Sequence, residues 1–394
     1  MPGFEWFGEE ERSEVAAVLR SGVLMRYGFD GARQGRWPAR ELEGQLAARL
    51  RVRHAHVCSS GTAAVFAALA ACGVGAGDEV IVPPFTFVAD IEAVLWLGAV
   101  PVFAEVDGTL CLDPTAVAAA ITPRTKAVLV VHMCGSMARI DALAELCHRR
   151  GVHLIEDACQ AMGATYRGQP LGTFGRAGAF SYDYVKTMTC GEGGAVVTND
   201  ATLYEVVQGF TDHGHDHRGA DRGADQHPFL GLNFRLSELH AAVGLAQLRK
   251  LDRMLEVQRR HKQYLRDGLQ DLPRITFREV PDAAGDSATF LSFQLPTEAE
   301  ARQAAARLAA AGVDGCFYWY DNNWHYHRQW RHFQTLASPS VLAVQKAGWL
   351  PNLASIQVPQ SDALLGRTIS MLIKLRWTES DLEQRQERMR SVLR

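Results

Sequence analysis

Ala179–Thr198 reads AFSYDYVKTMTCGEGGAVVT: a short apolar run, a loop with one lysine, a glycine pair and a second β-branched run. The two runs, AGAFSY (Ala177–Tyr182) and GAVVT (Gly194–Thr198), have the length and residue types of strands buried on both faces. Upstream lie four more of the same kind, EVIVP (Glu79–Pro83), VPVFAEV (Val100–Val106), KAVLVVH (Lys126–His132) and VHLIED (Val152–Asp157). Between them AAVFAALAACG, ADIEAVLWLG and ARIDALAELCHRRG place apolar residues at i, i+3 and i+4 and end in glycine, the pattern of helices with a C-terminal stop. Strand and helix alternating from about residue 55 to 200 is the sequence form of βα units around a mostly parallel sheet, so the fold class is α/β.

The rest of the chain divides around that core. Residues 1–50 form an N-terminal segment with two amphipathic pieces, 51–250 the large sheet domain, and 251–394 a smaller α+β domain. A long helical tract beginning RLSELHAAVGLAQLRKLDRML joins the last two. The smaller unit reads ITFREV, ATFLSFQLP, a helix over 298–311, VDGCFYWY and a terminal helix near 380–393. At 394 residues the chain needs no disulfide or metal staple, and its net charge of −3 gives no general attraction for nucleic acid or an anionic membrane. Eight scattered cysteines without a C-x-x-C pair read as reduced thiols of a cytoplasmic protein. MPGFEWFGEEERSEV lacks the basic and apolar regions of a signal peptide. The most apolar window, Val80–Phe103, is interrupted by Pro83, Pro84, Asp90 and Glu92, which excludes a membrane span.

Three segments carry chemistry. CSSGTAAVFAALAACG sets small residues and Thr62 before an apolar helix, so backbone N–H groups at Gly61 and Thr62 can cradle an anion; alone, the commoner reading is an N-cap and a tight turn with no ligand. HLIEDACQAMGA puts Asp157 at the C-terminal end of a buried strand, the edge where open α/β sheets bind ligands; alone, Asp157 could be a helix cap. Lys186 follows the strand that ends near Tyr182, and a lysine there can form a Schiff base with a carbonyl or simply face solvent from a loop. Together an anion cradle, a strand-end Asp157, Ser181 and Lys186 are complementary to pyridoxal 5'-phosphate: phosphate to the helix end and Ser181, pyridinium nitrogen to Asp157, aldehyde to Lys186, and the ring against Phe87 of PPFTFVAD.

SSGTAA, PPFTFVA, EDACQAMGA, FSYDYVK, GEGGAVVT and GLNFRLSELHAA together resemble the DegT/DnrJ/EryC1/StrS family of sugar aminotransferases over nearly the whole chain. The resemblance implies a fold type I, aspartate aminotransferase-like pyridoxal phosphate enzyme, a homodimer in which both subunits build each site. It makes Lys186 the Schiff-base lysine and sole catalytic residue of the motif, Asp157 the pyridine-nitrogen partner and Gln160 the contact of the ring hydroxyl. It places Gly61, Thr62 and Ser181 at the phosphate, Phe87 on the ring, and Asn233 at the neighbouring subunit's phosphate. Relatives that dehydrate their sugar carry histidine where Lys186 stands, so the resemblance favours amino transfer.

MPGFEWFG, RYGFD, TDHGHDH and GVDGCFYWYDNNWHYH are similar to the branch of the family that aminates the C8 aldehyde of 8-oxo-3-deoxy-manno-octulosonate, with glutamate as donor and 2-oxoglutarate as product, on the way to an aminated lipopolysaccharide sugar. A nucleotide-linked keto-hexose, another aldehyde or ketone of secondary metabolism, or a regulator that binds the cofactor without turnover are the alternatives. Arg26, Arg33, Arg218, Arg222 and Arg235 are candidate cations for a carboxylate, unranked by sequence. His213, His215, His217 and His227 could ligate a metal, but a Gly/Asp-rich stretch of this kind reads better as a solvated lid, so no metal is expected. The aromatic run at 317–330 reads as sugar-facing rings or core, since low basic density disfavours stacking on bases.

Overall fold

The computed structural model describes residues 3–219, 222–350 and 352–394. A seven-stranded sheet carries β1 (His54–Cys58), β2 (Glu79–Val82), β3 (Val100–Phe103), β4 (Thr125–Val131), β5 (His153–Asp157), β6 (Ala177–Ser181) and β7 (Gly194–Thr198) in the order β1-β7-β6-β5-β4-β2-β3. Six strands are parallel and β7 alone runs against its two neighbours. The large domain is thus the mostly parallel α/β sheet that the alternating pattern predicts. The strands are Val/Ile/Ala-rich because helices cover both faces, and only near-continuous apolar runs tolerate that. β1, HAHVC, has no such run, since polar His54 and His56 alternate with apolar residues at the sheet edge; sequence periodicity passes it over.

Around the sheet lie α1 (Glu9–Ser21), α2 (Pro38–Leu50), α3 (Gly61–Ala71), α4 (Ala89–Trp96), α5 (Pro114–Ala120), α6 (Ile140–Arg150) and α7 (Ala201–Phe210). α3 is apolar nearly all round because it is packed on β6 and β7 and against α4 and α7. Ser60 caps it, its hydroxyl accepting from Ala63 N at 3.0 Å, a contact that stabilises such a helix by about 1 kcal/mol. α6 stops where Gly151 takes φ 67°, and its N–H closes the last turn. On β5 the alternation of the pleat separates two acids. Glu156 is enclosed on one face, accepting from His132 at 2.9 Å and from the amides of Gly172, Phe174 and Gly175 at 2.6–2.8 Å, while Asp157 ends the strand at the C-terminal edge.

α8 (Glu238–Asp267), thirty residues long, runs through position 250 and leads to a second sheet. Its strands β8 (Thr276–Phe277), β9 (Phe290–Gln294), β10 (Cys316–Tyr318) and β11 (Thr368–Leu372) are all antiparallel, in the order β8-β9-β11-β10. α9 (Glu298–Ala310) and α10 (Glu379–Leu393) close its core of Leu291, Phe293, Leu308, Ile369, Met371 and Met389. β11 is another strand the sequence pattern missed, because TISML interleaves small hydroxyl residues with its apolar ones. Those hydroxyls are used: Ser370 bonds Ser292 on β9 at 2.6 Å and Thr368 bonds Leu364 O at 2.7 Å. Beyond β10 the aromatic segment turns back and docks on the 84–88 loop of the large sheet, with Thr86 N to His325 O at 2.9 Å, Val88 N to Trp324 O at 3.0 Å and His327 N to Pro84 O at 3.0 Å.

Candidate active site

β5 and β6 are parallel neighbours, Asp157 standing opposite Ala179. Asp157 at the end of one and Ser181 at the end of the other therefore share one edge of the sheet, beside the start of α3. Gly61 leads that helix, and its place allows nothing larger. A Cβ on it would lie 2.6 Å from Ser181 Cβ, 2.9 Å from Ser181 Oγ and 3.1 Å from Cys159 Sγ. The helix end, with its outward N–H groups and positive dipole, is thus pressed against a strand-end hydroxyl. Thr62 has an exposed side chain on the next residue of the same end.

Asp157 is 5 % exposed, and its Oδ1 accepts from Cys159 N at 2.8 Å. Gln160, also buried, points its Oε1 at Cys134 N, 2.9 Å away. Lys186 lies in the loop between β6 and β7, half-buried; its carbonyl accepts from Gly3 N at 2.9 Å and its amide donates to Asp183 O at 3.0 Å. Phe4 stacks on Tyr184 of the same loop, so the chain's first turn, Gly3–Trp6, holds the lysine loop from outside. The Lys186 ammonium acts electrostatically on Asp90, Cys159 and His325, which places it among them. Phe87 makes a wall with the aromatic segment: Trp324 stacks on it at 5.9 Å and His325 leans on it at 5.4 Å.

The structure thus gathers Gly61, Ser181, Asp157, Lys186, Gln160 and Phe87 around one strand edge. Asn233 stands apart. Its exposed side chain accepts from the Arg235 amide at 3.3 Å, on a segment tied to the start of α3 through Ser59 N to Phe234 O at 2.8 Å. Leu230, 95 % exposed, and Leu232 flank it.

Three residues of the site escaped the sequence reading. Asp90 appeared there only as a break in an apolar window, yet it is buried against Asp157. Cys159 and Asp157 share a hydrogen bond, and burial and that carboxylate push the Cys159 thiol well above its usual range. His325 is driven down to about 3, first by burial and then by Lys186. Its Nδ1 faces Asn322 Oδ1 at 2.9 Å, so the neutral ring carries its hydrogen there and leaves Nε2 as an acceptor. An acid in an apolar run and a histidine in an aromatic one are the signals that could have found two of them.

Four of the five candidate arginines are committed to internal partners. Arg26 pairs with Glu43 at 2.6 Å and Arg33 with Glu238 at 2.7 Å, both buried; Arg222 and Arg235 grip Asp212, and Arg218 is an exposed neighbour of Glu205. Of the histidine group, His213 and His227 are exposed, while the segment between them is held by Asp212, whose carboxyl the two guanidinium groups hold down at about 2 against the opposing effect of burial. His215 and His217 are mostly enclosed, and His217 stacks on Tyr27 at 4.6 Å. Among the described residues no group of three or more His, Cys, Asp or Glu could hold a metal ion. Nor is any described helix long and apolar enough to cross a membrane.

Pyridoxal phosphate fits this donor set: a small-residue helix end against a hydroxyl for the phosphate, an acid for the ring nitrogen, an amine for the aldehyde and an aromatic wall for the ring. The profile of the DegT/DnrJ/EryC1/StrS aminotransferase family, whose members depend on that cofactor, matches residues 6–359. The L-glutamine:2-deoxy-scyllo-inosose aminotransferase of Streptomyces kanamyceticus is 42 % identical over 70 % of this chain and 65 % of its own length. That of Micromonospora echinospora is 40 % identical over 75 % and 74 %. The GDP-perosamine synthase of Caulobacter vibrioides is 40 % identical over 56 % of this chain and 58 % of its own. The match thus spans about two thirds or less of several relatives. Among solved structures, 3-amino-5-hydroxybenzoic acid synthase is 32 % identical with a TM-score of 0.82, covering 98 % of this chain and 96 % of that one. The aminotransferase of Psychrobacter cryohalolentis superposes with a TM-score of 0.84 at 26 % identity, covering 98 % and 97 %.

Proposed function

The chain belongs to the DegT/DnrJ/EryC1/StrS aminotransferase family, and from that premise we propose that it moves an amino group from glutamate to the carbonyl of a sugar. Pyridoxal phosphate, when bound, supplies electron withdrawal from the carbon that bears the amine, so that this carbon can release a proton. The chain supplies the rest. Gly61, Thr62 and Ser181 hold the phosphate, Asp157 the ring nitrogen, Gln160 the ring hydroxyl and Phe87 the ring face. Lys186 anchors the cofactor through Nζ and, once freed, carries the proton at that atom. Asn233 reaches the phosphate held by a second copy of the chain; its exposure beside Leu230 and Leu232 supports that reading. Eight free thiols support residence in a reducing cytoplasm.

The observation that carries the proposal is the contact of Gly61 with Ser181 at the same strand edge as Asp157 and Lys186. For the acceptor we propose the C8 aldehyde of 8-oxo-3-deoxy-manno-octulosonate. Two of the segments that resemble that branch, RYGFD and TDHGHDH, meet in space through Tyr27 and His217, whose rings stack at 4.6 Å. The last of the four, at 312–327, supplies Trp324 and His325 beside Phe87. A cyclic keto-polyol with glutamine as donor is the second reading, favoured by the inosose aminotransferase relatives.

The purified protein, loaded with pyridoxal phosphate, is expected to lose its visible absorption band on adding glutamate and to regain it with the octulosonate aldehyde. Recovery only with an inosose, after glutamine, would select the second reading. No change with either donor would refute amino transfer. Lys186→Ala should remove the band that borohydride fixes covalently to the protein, and Asp157→Ala should bind cofactor but lose most turnover.

A further inference from the structure

Asp90 is an acid in the first turn of α4, 1 % exposed, among Val88, Ile91 and Val94 of the apolar core. Its Oδ2 accepts from Thr86 Oγ1, and its carboxyl is hydrogen-bonded to that of Asp157. Two carboxyl groups in such contact, away from water, cannot both keep a charge; one holds a proton and donates it to the other. Asp157 already has one oxygen stabilised by the Cys159 amide at 2.8 Å. Asp90 is the more deeply enclosed, and burial first, then the Asp157 charge, push its carboxyl well above the usual range against the pull of Thr86 and Lys186. Of the neighbours at this spot, the Cys159 thiol is pushed up by burial and His325 is already neutral, while the Lys186 ammonium faces both of them and Asp90.

We propose that Asp90 is a positioning residue that carries a proton and donates it to the Asp157 carboxylate, fixing that carboxylate towards the cofactor's ring nitrogen. The inference rests on the reading of Asp157 given above. One carboxylate balances one pyridinium; a second ionised acid would leave a buried charge without a partner. Without the Asp90 donor, the Asp157 carboxylate loses the contact that holds it towards the ring nitrogen, which weakens electron withdrawal in the bound cofactor but leaves substrate binding alone.

The test uses holoenzymes reconstituted with pyridoxal phosphate labelled with ¹⁵N in the ring, whose chemical shift reports whether that nitrogen is protonated. Wild type and Asp90→Asn, which keeps a donor at nearly the same shape, are expected to show a protonated ring. Asp90→Leu is expected to move towards the unprotonated shift, with kcat of the glutamate half-reaction down roughly 10-fold or more, the size of one hydrogen bond to a charged group, and KM within about 2-fold. Asp90→Ala stands in with the same expectation if the leucine variant does not fold. A protonated ring and kcat within about 2-fold of wild type in Asp90→Leu, or a loss in Asp90→Asn as large as in Asp90→Leu, overturns the proposal. Asp157→Asn separates the two readings. If it keeps the protonated shift, the pairing of Asp157 with the ring fails; if it loses it while Asp90→Leu does not, only the role of Asp90 falls.

Discussion

Gly61→Ala adds one methyl group where α3 meets β6. Helix propensity favours the change by up to about 1 kcal/mol, since alanine loses less backbone freedom than glycine. Packing opposes it. Carbon atoms settle at about 3.5–4.0 Å, and the new Cβ would stand 2.6 Å from Ser181 Cβ. Ser181 has little room to retreat, because β6 is paired through it to Gly194, and a Cβ at Gly194 would itself strike Ser60. The overlap must therefore move α3 away from the strand end, at the cost of about 1–3 kcal/mol for an overpacked site. That movement opens the cradle, so most of the cost should appear in cofactor affinity: about a 5- to 150-fold rise in the dissociation constant of pyridoxal phosphate, by 1.4 kcal/mol per tenfold. Fluorescence or absorbance titration of apoprotein reads this directly. Gly44→Ala is the control, since its Cβ would meet nothing within 4 Å on α2; it should leave affinity unchanged and stabilise the fold slightly. If Gly61→Ala binds the cofactor within about 2-fold of wild type, the overpacking argument is wrong and the phosphate lies elsewhere.

Other expectations follow from the same geometry. Arg26→Met should destabilise the protein by about 3–5 kcal/mol in urea unfolding, because Glu43, held at about 2 by that guanidinium against its burial, loses its partner; Arg26→Met/Glu43→Leu should recover much of the loss, and equal damage in both would refute the pairing. His325 is neutral in the fold down to about 3 but protonates near 6.5 once unfolded, so its contribution is complete above pH 6.5 and is lost as pH falls towards 3. His325→Phe should therefore lose about 2–3 kcal/mol less than wild type between pH 7 and 4.5, measured by urea titration at both; equal losses would contradict the burial. On the proposed dimer with shared sites, equal mixing of Lys186→Ala and Asn233→Ala chains, unfolded and refolded together, should restore about a quarter of wild-type activity, since half the dimers are mixed and each has one intact site. No recovery would refute sites shared between subunits.

The large sheet was legible in the sequence because strands buried on both faces leave apolar runs that no partner residue needs to explain. β1 and β11 were not, since His56 and Ser370 are acceptable inside only through bonds to residues far away in the chain, Thr211 and Ser292. The same division holds in the site. Lys186, Asp157 and Ser181 stand in local patterns that single them out in the sequence, and the fold brings them to one strand edge. Asp90 and His325 become intelligible only when α4 and the aromatic segment are brought together. The arginines show the converse: Arg26, Arg33 and Arg222 looked available, and folding spends them on Glu43, Glu238 and Asp212.

The turn at Gly3 has a bearing on how the protein is made. A Cβ on Gly3 would meet Thr187 O at 2.5 Å, Gln247 Oε1 at 2.9 Å and Lys186 O at 3.0 Å, so this residue is wedged between the lysine loop and the first half of α8. On a translating ribosome residue 3 emerges long before its seat exists. At about 5–20 residues per second, Gln247 is added some 12–50 seconds later. Until then Gly3 has nowhere to dock and the loop bearing Lys186 lacks that outer contact. That loop is thus among the last parts of the large domain to set, and a nascent chain stalled before α8 should display it to proteases that the finished protein resists.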